Sequence, residues 1–288
     1  WGASPGSRAG ARAWSPTPSE LADDILLLGD AWRRIETRAN GWTATFALAP
    51  GSEWLEPLVE EVFVPIVDAE VELFDRPPRE RFLFAFGPAE GIPGAGGSPK
   101  TGSMTLFAEE DADPERTRQS LAHLVAHEFH HTWGRTDRSR SHPEETDRLR
   151  HVTEGYTDYY AYVIPWRLGQ ISDATFHRTL ESRMFAGALA LENYGRSLCD
   201  AGGPDFFAGR DAYQACYAAG LTMALWTDLT LRRHGDAEGL DGLMRDWYAP
   251  TRDTHRLEDW EALLRSRLPD REVDSHLSMI TSSESHDW

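Results

Sequence analysis

Residues 113–134, DPERTRQSLAHLVAHEFHHTWG, constrain this chain more than any other stretch. Asp113 is placed to cap a helix, Pro114 to occupy its first turn, and Gly134 to lie just past its end. Leu121, Leu124, Val125 and Phe129 recur at helical spacing, which predicts one apolar face that must be buried. His127 and His131 stand one turn apart on a shared face, so both imidazoles can reach one ion. Glu128 lies about 100° round the helix from His127, near enough to hold a water on that ion. Any fold of this chain must bury one side of the helix and open the other to a cleft.

The H-E-x-x-H spacing arises by chance in roughly 3% of chains this rich in His and Glu, so its context has to carry the reading. A catalytic zinc site needs a third protein ligand and an open position for water. Two carboxylates compete. Asp137 would complete H-E-x-x-H-x-x-G-x-x-D on the loop after Gly134. Glu154 lies on the next predicted helix, within VTEGYTDYY, and has Asp158 one turn further on the same face. Glu154 as ligand and Asp158 as acceptor from a ligand imidazole would form successive layers of one site. No such companion supports Asp137, which sits in the polar run GRTDRSRS. His123, one turn before His127, is expected in the core or in support of a ligand, because a fourth protein ligand would close the site to water. His130 points away from the ligand face and is expected to pack.

The 288 residues provide for one large domain or two lobes round a cleft. The stretches 42–50, 62–74, 81–88 and 102–110 read as strands, with a long Gly/Pro loop at 87–102. From residue 113 the pattern is helical. Ser141 and Glu144 form a capping box, and Leu149, Val152, Tyr156, Tyr159 and Val163 recur on one face before Pro165 ends the helix. Further helices are expected at about 173–191, 211–233, 238–248 and 257–268. The expected architecture is a flexible leader at 1–20, a β-rich lobe at 21–112 and a helical lobe at 113–288 carrying the metal site. The chain opens on Trp1 rather than Met, so a processed or excised piece of a longer protein is expected, in a secreted or periplasmic rather than cytoplasmic location. No apolar run approaches the roughly 18–20 residues of a membrane span. A net charge of −18 opposes binding to nucleic acid. Cys199 and Cys216 form no C-x-x-C pair, and the sequence leaves open a single disulfide or two buried thiols.

HEFHHTW followed by TEGYTDYY resembles the glycyl aminopeptidase family, gluzincins with a thermolysin-like catalytic domain, whose members carry H-E-x-x-H-T-W and then E-G-x-T-x-Y-Y. CYAAGLTMALWTDLTLRR, LDGLMRDWY and LEDWEALL continue the likeness, so that it spans most of 60–280. The resemblance implies an α+β fold with the active site between a β-rich and a helical lobe. It implies one Zn2+ held by His127, His131 and Glu154, with Glu128 as general base and Tyr217 as donor to the oxyanion. It also implies peptide hydrolysis by a metal-activated water. Tyr217 is singled out by the resemblance alone, since Tyr213 and Tyr217 read equally well as core aromatics. The family's cleft-lining Gly-Gly-Leu-Glu-His corresponds to GGSPKTGSM, which puts Gly96, Gly97 and Ser98 at the substrate. That stretch has no glutamate, so the family's anchor for a substrate amine is missing, and the family's lysine two residues after the tyrosine is Ala219 here. The strand at 102–110 is expected to pair with an extended substrate. Two other readings compete: a metzincin-like endopeptidase using Asp137, and a non-catalytic zinc- or peptide-binding domain.

Overall fold

A computed structural model describes residues 25, 27, 30–39, 41–88, 95–100, 102–109, 113–134, 147–252 and 254–283. The expected leader, Asp137 and the capping box at Ser141 lie outside them. One mixed sheet is built from β1 (Arg33–Ala39), β2 (Trp42–Leu48), β3 (Arg81–Pro88), β4 (Ala95–Pro99) and β5 (Ser103–Ala108). Its order is β1-β2-β3-β5-β4. The inner pairs β2–β3 and β3–β5 are parallel, and the outer pairs are antiparallel. Phe46, Leu48, Phe82, Phe84 and Phe86 are all buried on one face of the sheet, the face on which the helices pack.

The residues linking β2 to β3 correct the strand expected at 62–74. They form a helical run: a short turn at Glu53–Leu55, α1 (Glu56–Leu58), a π-helical segment at Val59–Phe63, and α2 (Val64–Leu73). Its valines suggest a strand, but the buried positions Val59, Val62, Phe63, Ile66, Val67 and Val71 repeat every three to four residues rather than every two. A helix here is also what a parallel β2–β3 pair requires, since the chain must cross over to re-enter the sheet in the same direction.

The motif helix forms as expected and is α3 (Pro114–Gly134), with Gly134 its last residue rather than the first beyond it. Its apolar face lies on the sheet. The Phe129 ring is 5.3 Å from those of both Phe82 and Phe84 and 6.2 Å from that of Trp42. A π-helical segment at His151–Tyr156 leads into α4 (Thr157–Arg167), which runs through Pro165 instead of ending there. Then follow α5 (Asp173–Tyr194), the short α6 (Leu198–Ala201), and α7 (Arg210–Gln214). A third π-helical segment at Ala215–Ala219 joins α7 to α8 (Gly220–Arg233). The chain continues as α9 (Leu240–Trp247), α10 (Leu257–Arg265) and α11 (Asp270–Thr281). Cys199 and Cys216 are both free thiols and both buried. No helix among the described residues is long and apolar enough to cross a membrane.

Two further expectations change. The segment 95–99 is a strand, where a continuous loop was expected. That strand, β4, is the edge strand of the sheet, while β5 pairs with both β3 and β4, so β5 is not placed to pair with an extended ligand.

Candidate metal centre and cleft

α3 and the π-helical segment at 151–156 bring His127, His131 and Glu154 together. The Nε2 atoms of the two histidines are 3.1 Å apart, and Glu154 Oε2 lies 3.5 Å from His127 Nε2 and 3.3 Å from His131 Nε2. Three ligands at about 2.0–2.1 Å from a tetrahedral ion stand about 3.3–3.4 Å from one another. The donor triangle therefore has the size and ligand types of a zinc site, and its three residues line the cleft.

The electrostatics point the same way. Burial opposes charge on His127, but the Asp158 and Glu154 carboxylates beside it outweigh burial and hold its pKa up at about 10. Glu154 is also buried against its charge, yet His131 and His127 keep its carboxyl well below the ordinary carboxylate range. Such a triangle attracts a cation, and a bound metal would take the place of the proton.

Asp158 is buried at the base of this arrangement. Its Oδ1 is 2.8 Å from His123 Nε2 and 3.7 Å from His127 Nδ1, a charge contact rather than a hydrogen bond. Its Oδ2 is paired with Arg183 from α5. Burial works against the carboxylate, but the two histidines and Arg183 keep it ionised. His123 thus pairs with Asp158 and is not one of the three residues of the His127–His131–Glu154 triangle. Nothing in the sequence connects Arg183 to this site. His130 packs: it stacks on Tyr160 with ring centroids 4.8 Å apart and sits 3.3 Å from the fully buried Glu70.

A cleft of about 450 Å³ opens over the triangle. Glu128, Tyr217 and the β4 residues Gly97, Ser98 and Pro99 all line it. A Cβ on Gly97 would lie 2.7 Å from Glu128 Cγ, so the glycine is what lets β4 and the carboxylate approach so closely. Gly96 does not line the cleft; it packs on the Phe107 ring. The Tyr217 ring stacks on His127 with centroids 5.6 Å apart and an interplanar angle of 15°. Burial, with Glu154 alongside, raises the Tyr217 hydroxyl far above the usual tyrosine range and keeps its proton in place as a donor. The wall beyond is made by Leu149, Arg150, Trp247, Tyr248 and His255. Sequence reasoning did not single these out; the only signal was the downstream likeness in LDGLMRDWY.

The family model for M61 glycyl aminopeptidases matches residues 120–201, a segment that contains all three donors, Glu128 and Asp158. No curated protein matches the chain. Among solved structures, an aminopeptidase N family protein from Idiomarina loihiensis superimposes with a TM-score of 0.66 at 21% identity, over 88% of this chain and 47% of that one. An M1 zinc metallopeptidase from Deinococcus radiodurans, solved with a Tyr-Ser-Ala substrate, gives a TM-score of 0.53 at 14% identity, over 88% of this chain and 52% of that one. The chain thus spans about half the length of these structures. The fold is similar to those of an aminopeptidase N family protein and an M1 zinc metallopeptidase. The segment 120–201, which bears the site, is similar to the M61 glycyl aminopeptidases.

Proposed function

We propose that this chain is the catalytic part of a zinc-dependent peptidase with a thermolysin-like arrangement, in which the sheet-bearing part (21–112) and the helical part (113–288) form the two sides of the cleft. The observation that carries this reading is the triangle of His127, His131 and Glu154, sized for a tetrahedral ion, with Glu128 lining the same cleft. A zinc ion held there would supply Lewis acidity to a substrate carbonyl and lower the pKa of a water to near neutrality. Glu128 takes the proton from the attacking water as the carbon–oxygen bond forms, and returns it to the departing nitrogen as the carbon–nitrogen bond breaks. Tyr217, held protonated beside Glu154, donates to the oxygen on which negative charge develops. β4 offers the edge along which an extended peptide pairs, with Gly97 leaving room for its backbone next to Glu128.

Glu128→Gln tests the assignment. The variant keeps fold and zinc but loses about 10²–10⁴-fold in peptide hydrolysis, the range expected for removal of a general base. A wild-type protein that holds one zinc per chain and cleaves nothing in a broad peptide library would instead be a zinc- or peptide-binding domain.

A further inference from the structure

The charges along the cleft bear on which peptides it takes, given that it is a peptidase cleft. Among its described lining residues only Glu128 and Glu154 are acidic. One is the proposed base and the other a proposed ligand, so none of the described lining residues offers a third carboxylate to a substrate ammonium. Pro99, uncharged, closes the cleft end of β4. Among the described lining residues the only arginine or lysine is Arg150, immediately before the π-helical segment that carries Glu154.

The Arg150 guanidinium is fixed in place. Its Nε donates to the Gly202 carbonyl at 2.8 Å, and its Nη2 pairs with Asp147. Its Cζ lies 4.3 Å from the Phe206 ring centroid and 5.4 Å from that of Phe207. These contacts occupy Nε and Nη2, so Nη1, with two N–H groups, is left with no hydrogen bond to another described residue. An arginine held in this way has little rotamer freedom left to lose when a carboxylate arrives. A continuous aromatic wall joins it to the reaction centre: Phe206 is 5.3 Å from Tyr213, and Tyr213 is 4.4 Å from Tyr217. Phe207 and Tyr213 present ring surface to solvent at the outer end of this wall.

We propose that Arg150 is a specificity-determining residue that anchors a substrate carboxylate, so that the cleft selects apolar or aromatic peptides bearing that anion rather than peptides with a free N-terminal amine. The carboxylate is a C-terminus or an Asp or Glu side chain, and both place the same group at the guanidinium. The net charge of −18 does not supply this preference, because a diffuse negative field repels anionic peptides. The selection has to be local.

The test is direct binding to zinc-loaded Glu128→Gln protein, which holds peptides without cutting them. Fluorescence anisotropy compares one aromatic pentapeptide as free acid, as C-terminal amide, as amide with an internal Glu, and as the N-acetylated free acid. The free acid or the Glu-containing amide binds about tenfold tighter than the plain amide, the scale of one charge-assisted contact, and acetylation leaves affinity within about twofold. Whichever of the two wins identifies the source of the carboxylate. Adding Arg150→Gln removes that difference, while Arg150→Lys keeps part of it. A plain amide that binds as tightly as both the free acid and the Glu-containing amide, or loss of binding on acetylation, overturns the proposal, and the comparison with Arg150 unchanged decides even if Arg150→Gln does not fold. Wild-type hydrolysis of the same peptides is scored separately. A protein that prefers carboxylates and cleaves none keeps the anchor and loses the peptidase reading.

Discussion

Gly97→Ala perturbs the proposed base without touching a metal donor. The added methyl would lie 2.7 Å from Glu128 Cγ, 2.9 Å from its Cδ and 2.8 Å from Leu106 Cδ2, whereas carbon atoms in ordinary contact stand about 3.5–4.0 Å apart. About 1 Å must be found somewhere. Leu106 is 1% exposed and pairs directly with Gly97 across the β4–β5 ladder, so neither it nor the strand backbone gives way easily. Glu128 is a flexible side chain bordering the cleft, and it moves. A catalytic group displaced by about 1 Å loses on the order of 10² in rate. The expected result is a kcat about 100-fold down with zinc content unchanged, at a stability cost no larger than the about 1–3 kcal/mol of an overpacked core. Steady-state kinetics on a reporter peptide, zinc by atomic emission and a thermal melt measure the three quantities. A variant that folds, holds zinc and turns over within about threefold of wild type would refute the reasoning, since Glu128 would then not be the base at the position described.

Glu154→Ala should lose most of its zinc while Asp137→Ala keeps it; metal analysis of the purified proteins decides, and the reverse result would make the site metzincin-like. Two buried histidines, His151 and His276, predict acid lability. Burial lowers His151 to about 4, against a backbone contact from Arg148, and lowers His276 to about 3, with His151 adding to the effect. Both folded values lie below the roughly 6.5 of an unfolded histidine, so between them the unfolded chain binds more protons and stability falls as pH drops. At about pH 5 each group costs about 2 kcal/mol relative to neutral pH. His151→Leu should remove about that amount from the difference between urea unfolding at about pH 5 and pH 7.5, and an unchanged difference would show that His151 is not the titrating group.

The part of this molecule most legible in the sequence is α3, where capping, apolar period and ligand spacing all agree on one helix. β2, β3 and β5 are legible as apolar runs. β1 and β4 are not, for different reasons. The sequence of β1, RRIETRA, carries four charged residues, which is tolerable only because it lies at the sheet edge. β4, AGGSP, has no strand composition and is held by its ladder to β5. α2 reads as a strand because its valine content masks its helical period. Asp158 is legible from its place one turn after Glu154, whereas its partner Arg183 is 25 residues away in the chain and is found only in three dimensions.

The hardest feature to read is the one that completes the site. Glu154 and Tyr217 both lie in π-helical segments, His151–Tyr156 and Ala215–Ala219. A π-turn inserts about one residue into a helix and rotates the residues beyond it by about 100°, a change of phase that no 3.6-residue pattern reports. The two segments cross where side chains are absent. A Cβ on Gly155 would lie 2.4 Å from the Gly220 backbone, and one on Gly220 would lie 2.6 Å from the His151 carbonyl oxygen. This backbone contact brings the residue before Gly155, the proposed ligand Glu154, and the residue three before Gly220, the proposed donor Tyr217, close to His127. Glycine at 155 and 220 thus does for the helical side of the cleft what Gly97 does for the sheet side. Each removes a side chain where two elements must nearly touch, and the reacting groups are the neighbours of those contacts.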